Sequence, residues 1–197
     1  MQSVSAPPSV NDAQPQPRLV ATFLVLQGLI SAPLLLTDTM LPPLAASALL
    51  AIFLAVLSAI DWRDFRLPDV LTLPLLGAGL VLAALASHEA FIWAIVSALI
   101  GGGALYAVGW IYRRYRGRTG LGLGDVKLFA GAGAWVGAEG LAAVLLVACL
   151  TALAAALTWR LRKGEIDPQR AIPFGPFIAL GLWVVWLYGP LVLDPIV

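Results

Sequence analysis

The sequence predicts an all-α fold, a polytopic membrane bundle of six to seven hydrophobic segments, and three observations predict it. Of 197 residues, 60% are hydrophobic and only 12% charged, with a mean hydropathy of +0.92. A soluble domain carries about 45–50% apolar and about 25% charged residues. Apolar runs of the length that crosses a bilayer, about 17–25 residues, recur along the chain. The basic residues fall in alternate gaps between those runs, as the positive-inside rule expects. The lipid bilayer is therefore the expected partner. Disorder, nucleic-acid binding and a disulfide scaffold are excluded, the last because Cys149 is the only cysteine.

Residues 1–17, rich in Pro, Ser and Gln, read as a disordered cytoplasmic tail, and residues 18–197 as the membrane-embedded domain. The tail has no basic region leading into a short apolar stretch, so it is no secretory signal. The apolar runs are Leu19–Leu36, Leu41–Ile60, Val70–Ala86, Phe91–Tyr112, Leu141–Trp159 and Ile172–Leu193. Between the fourth and fifth lies a Gly-rich stretch, Leu123–Gly137, which carries Asp125 and Lys127 and is either a short span or a re-entrant half-helix. Arg18, Arg63, Arg66, the cluster Arg113, Arg114, Arg116 and Arg118, and the loop Arg160–Arg170 all lie on one side if Leu123–Gly137 crosses. The gaps Thr37–Met40, Ser87–Ala90 and Ala138–Gly140 contain no Lys or Arg and are expected as outer loops. The N-terminus then faces the cytoplasm with every basic loop.

Seven of the eleven acidic residues fall in the tail, the outer loops or a basic loop. Asp61, Asp64, Asp69 and Asp125 remain. Asp61 ends the run LLAIFLAVLSAID, and Asp125 opens GDVKLFAG after Gly120, Gly122 and Gly124. An ionisable side chain at the edge of an apolar span is costly and marks a functional site by default. Pro68 suits the start of the third helix, and Asp69 its positive end. Asp64, between Arg63 and Arg66, reads as an ion-pair residue. Two carboxylates brought together activate a water by general acid/base chemistry. No Ser–His or Cys–His pair competes: the single histidine, His88, falls in an outer loop, and Cys149 reads as inert packing.

At these residues the chain resembles the type IV prepilin peptidases, membrane aspartic peptidases that process pilin and pseudopilin precursors. The likeness rests on AIDWRDFRLPDVLTLPLL from Ala59, on GLGLGDVKLFAGAGAWVG from Gly120 with its Gly-x-Gly-Asp motif, and on IPFGPFIALG from Ile172. It implies Asp61 and Asp125 as the catalytic pair, with Gly122, Gly124, Lys127, Pro68 and Asp69 as the supporting motif. Asp64 stands one position out of the family's register and is outside that pair. The resemblance also implies a bacterial inner-membrane enzyme with its site at the cytoplasmic face, a prepilin or pseudopilin precursor as substrate, and no metal or other cofactor. With one cysteine and no paired Cys-x-x-Cys segment, the chain looks like the short, peptidase-only form without the methyltransferase segment.

Helix ends suggest a division of labour. Asp61 closes one helix and Asp125 opens another, so the macrodipoles point to Asp125 as base and Asp61 as acid. Two other readings stand beside the peptidase: a metal-dependent enzyme of lipid-linked phosphates, using Asp61, Asp64 and Asp69, and a transporter or assembly protein with broken helices.

Overall fold

The computed structural model describes residues 17–32, 43–117, 120–163 and 173–189. Among them are six helices: α1 (Pro17–Ser31), α2 (Leu44–Asp64), α3 (Asp69–Ala86), α4 (His88–Arg116), α5 (Leu123–Lys163) and α6 (Gly175–Tyr188). Four of them, α2 to α5, are long and apolar enough to cross a membrane. Helices are the economical answer here, because they satisfy backbone N–H and C=O groups without water. The expected tail lies outside the described residues except Pro17, which opens α1. The expected outer loop Thr37–Met40 also lies outside them.

The helix α5 is two helices joined at one residue. Gly137 takes φ 71° and ψ 174°, a region open essentially to glycine alone. Its two arms, 123–136 and 138–163, run in opposite directions, as their neighbours demonstrate. In the second arm, Gly140 and then Val144 meet Val185 and then Gly181 of α6, so it is antiparallel to α6. The first arm runs parallel to α3: Lys127 meets Asp69, Gly131 meets Leu75 and Trp135 meets Gly79. It runs antiparallel to α4, with Phe129 against Gly101 and Gly133 against Ser97. Leu123–Gly137 is therefore a helical segment of its own, and the described residues form seven such segments.

Two expected outer loops shrink to single residues. Only Gly137 is non-helical where Ala138–Gly140 was expected as a loop. Only Ser87 separates α3 from α4, where Ser87–Ala90 was expected. His88 opens α4, and the Ser87 hydroxyl accepts the Ala90 N–H at 2.9 Å as its N-cap. Such turns suit a membrane bundle, since few backbone groups are left for water to satisfy.

Small residues let the helices approach closely. A Cβ on Gly133 or Gly181 would run into the backbone of Ser97 or Val144, and one on Gly101 would lie 2.9 Å from the Phe129 carbonyl. Indole and phenol donors then lock the helices through their polar ends. Trp135 Nε1 donates to the Leu75 carbonyl at 2.8 Å, Trp183 Nε1 to that of Gln27 at 3.1 Å, and Trp186 Nε1 to Ser47 Oγ at 3.0 Å. Trp135 and Trp186 meet edge to face at 5.3 Å, where α5 and α6 cross toward α2. Cys149 differs from expectation: it is exposed on its helix rather than packed.

The C-terminal ends of α2 and α4 and the N-terminal ends of α1, α3, α6 and the first arm of α5 lie together. Asp61, Asp125, Arg18, Arg63, Arg66, Arg113, Arg114, Arg116 and Lys127 all belong to that end.

Candidate active site

The chain positions Asp61 by ending α2 just beyond it. Phe65 takes the left-handed conformation, φ 52° and ψ 36°, and its N–H returns to the Asp61 carbonyl at 3.0 Å. Phe65 is the only non-glycine residue with positive φ among the described residues. A bulky side chain there is costly, so surrounding structure must hold it. The link then runs through Arg66 and Leu67 to Pro68, whose φ of −71° sets the entry into α3. Pro68 is the residue before the helix rather than its first residue.

Asp61 is buried, with 5% of its surface exposed. Its Oδ2 accepts the Gly175 N–H at 3.0 Å, across 114 positions of sequence. Gly175 opens α6, and Pro176 follows it at a position where a helix needs no N–H. A Cβ on Gly175 would stand 2.7 Å from Asp61 Oδ2, so glycine is what lets the amide and carboxylate meet.

Asp125 sits three residues after Gly122, at the start of α5, and its Oδ2 accepts the Gly122 N–H at 3.3 Å. This is the reach-back half of a capping box: the carboxylate answers one N–H that the first helical turn leaves unpaired. Gly124, between them, packs against the α2–α3 link; a Cβ there would lie 2.7 Å from that of Leu67. Asp61 and Asp125 come from segments 64 residues apart in sequence, yet the turns that carry them converge on one residue: Gly124, next to Asp125, and Gly175, which donates to Asp61, both pack against Leu67.

The remaining acids part company. Asp64 pairs with Arg63 at 2.8 Å, as its position between two arginines suggests. Asp69, in the first turn of α3, accepts from Lys127 Nζ at 2.6 Å. Lys127 thus clasps α5 to the start of α3 two residues after Asp125. Among the described residues no group of three or more His, Cys, Asp or Glu side chains is placed to hold a metal ion.

One part of the site, Gly175, escaped the sequence. Gly175 lay in a stretch noted only for its likeness, although Phe-Gly-Pro at the head of an apolar run signals a helix start with a free N–H. Its contact also removes the asymmetry behind the base and acid assignment. The carbonyl end of α2 at Asp61 is offset by the amide end that α6 presents to the same carboxylate.

Two carboxylates, each held by one backbone N–H, at the basic end of a membrane bundle, have the parts for activating a water. The comparisons with known proteins fall on the same stretch. The profile of the type IV leader peptidase family matches residues 48–157, which hold Asp61, Leu67–Asp69 and Gly122–Lys127. A prepilin leader peptidase/N-methyltransferase of Xanthomonas campestris is 38% identical over 140 residues, 71% of this chain and 48% of that protein. One of Burkholderia pseudomallei is 42% identical over 148 residues, 74% of this chain and 47% of that protein. One of Pectobacterium carotovorum is 37% identical over 164 residues, 77% of this chain and 58% of that protein. The chain spans about half the length of the curated relatives it matches. No solved structure matches it. With the profile covering more than half of the chain, and both carboxylates inside it, the chain belongs to the type IV leader peptidase family.

Proposed function

We propose that this chain is an aspartic endopeptidase that cuts the leader from type IV prepilin or pseudopilin precursors at the cytoplasmic face of the bacterial inner membrane. Asp61 and Asp125 are the catalytic pair. One removes a proton from water as it attacks the scissile carbonyl, and the other protonates the leaving amine. The observation that carries the reading is the convergence of the turns that hold these two carboxylates, with Gly124 beside Asp125 and Gly175 beside Asp61 both packed against Leu67. Family membership supports peptide cleavage as the reaction.

The depth of the pair suits the substrate. A prepilin leader is short and basic and runs into an apolar helix, so its scissile bond lies where membrane meets cytoplasm. The pair lies at the helix ends, beside Arg63, Arg66 and Lys127. The basic end faces the cytoplasm by the positive-inside rule. Gly175 and Gly122 hold the carboxylates in place through backbone N–H groups. The reading covers cleavage alone, not methylation of the product, and it needs no metal.

The test is incubation of the purified protein with a synthetic prepilin peptide, followed by mass spectrometry. Cleavage at the end of the basic leader is expected, with and without EDTA. An intact peptide would refute the activity. Cleavage that stops in EDTA and returns with Mg²⁺ or Zn²⁺ would refute the metal-free mechanism.

A further inference from the structure

We propose that Leu67, in the four-residue link between α2 and α3, is the positioning residue that sets the separation of Asp61 and Asp125. The proposal rests on the peptidase reading for its consequence in catalysis, though not for its geometry.

Leu67 touches both carboxylate-bearing assemblies. On one side, a Cβ built on Gly124 would lie 2.7 Å from the Leu67 Cβ, 3.3 Å from its carbonyl oxygen and 3.4 Å from its nitrogen. Gly124 is bonded to Asp125, so the first turn of α5 rests on the backbone and Cβ of Leu67. On the other side, a Cβ on Gly175 would lie 3.2 Å from Leu67 Cδ1. Gly175 holds Asp61 through its N–H, so the first turn of α6 rests on the far end of the same side chain. One leucine therefore stands between the two turns to which the carboxylates are tied. It is half-buried and packs against the hydrophobic core.

The link is built to hold a spacer still. Phe65 ends α2 in a left-handed turn, and the ring of Pro68 restricts the other end. Asp69, two residues after Leu67, is tied to Lys127 near the start of α5. The two glycines are the complement of the spacer: each lacks the methyl group that would push Leu67 away. A misplacement of about 1 Å between reacting groups costs about 100-fold in rate. Shortening Leu67 frees the α6 turn, and with it Asp61, while the contact of Gly124 with the Leu67 Cβ survives.

The experiment uses the full chain in detergent, a synthetic prepilin peptide, and three variants, Leu67→Ala, Leu67→Val and Leu67→Met. Leu67→Ala is expected to lower kcat by about 100-fold with KM little changed, and Leu67→Met, which keeps volume and reach, to stay close to wild type. If Leu67→Ala does not accumulate in the membrane, Leu67→Val carries the comparison with a smaller loss. A second readout needs no activity. In protein carrying Cys149→Ser, Asp61→Cys and Asp125→Cys, a short bifunctional thiosulfonate should bridge the two cysteines. Adding Leu67→Ala should change the bridging rate severalfold, and adding Leu67→Met should not. Unaltered kcat or unaltered bridging in folded Leu67→Ala protein overturns the proposal. If wild type cuts no prepilin but Leu67→Ala still alters bridging, the peptidase reading fails and the spacer stands.

Discussion

At the scale of single residues, the two carboxylates are distinguished by what holds them. Each accepts one backbone N–H from a helix start, Gly175 for Asp61 and Gly122 for Asp125. Asp61→Asn and Asp125→Asn should each abolish prepilin cleavage while the protein still inserts and unfolds normally. The double variant should be no worse than either single one, because residues that act as a unit do not contribute additively. Steady-state cleavage assays on the three proteins check this, and near-normal turnover in either single variant would remove that residue from the pair. Asp64→Asn should retain substantial activity, since Asp64 is engaged by Arg63 at the surface. Gly175→Ala tests the amide contact. Its methyl group meets Asp61 Oδ2 at 2.7 Å and Leu67 Cδ1 at 3.2 Å, so activity should fall. Gly28→Ala, where a methyl group meets nothing within 4 Å, should leave it unchanged.

At the scale of elements, one clasp and one turn organise the site end. The Lys127–Asp69 pair is well exposed, 39% and 57% at the two side chains. Such a pair contributes about 0.2–1 kcal/mol to stability. Its breakage should therefore leave the melting temperature nearly unmoved while loosening the register of α3 against α5. Lys127→Asp and Asp69→Lys should each slow cleavage, and the double exchange should recover much of it. A double exchange no faster than the singles would show that the two residues do not act through each other. The turn at Gly137 carries a different cost. Nothing lies within 4 Å of a Cβ built there, so Gly137→Ala meets no clash and pays only for its backbone. A non-glycine residue in that region costs about 1–3 kcal/mol. Thermal or denaturant unfolding should register a loss of that size.

At the scale of the whole molecule, the antiparallel order of the segments gathers the described arginines near the two carboxylates. Single cysteines placed at Arg66 and Arg116, in a Cys149→Ser background, should be labelled from the cytoplasm, and one at Glu89 from outside. Glu89 sits beyond Ser87, at the opposite end of α3 and α4. The reverse pattern would invert the bundle and place the carboxylate pair on the side away from the leader. The orientation and the peptidase reading are thus tested together but can fail separately, since cleavage by protein in detergent does not depend on which face is which.

The sequence by itself determined what depends on composition and local order. It marked the apolar runs, and within the described residues these appear as helices α1 to α6; the expected ends at Leu36, Leu41, Ile172 and Leu193 lie outside those residues. It separated Asp61 and Asp125 from the other acids, because a carboxylate at the edge of an apolar run is conspicuous without any partner in view. Only the tertiary structure decided the partnerships. The Asp61–Gly175 contact spans 114 positions and Lys127–Asp69 spans 58. No local pattern encodes which amide meets which carboxylate, because that choice is made by helix packing. The same holds for the loops. Breaks in the apolar runs without Lys or Arg pointed to open connections at Ala138–Gly140 and Ser87–Ala90, but helix geometry propagates until a residue leaves it. Gly137 and Ser87 each suffice to turn the chain, by a φ that glycine alone tolerates in one case and by a hydroxyl cap in the other. Leu67 illustrates the limit most plainly. In sequence it is one leucine among many apolar residues, and its contacts with Gly124 and Gly175 exist only because three chain segments converge on it.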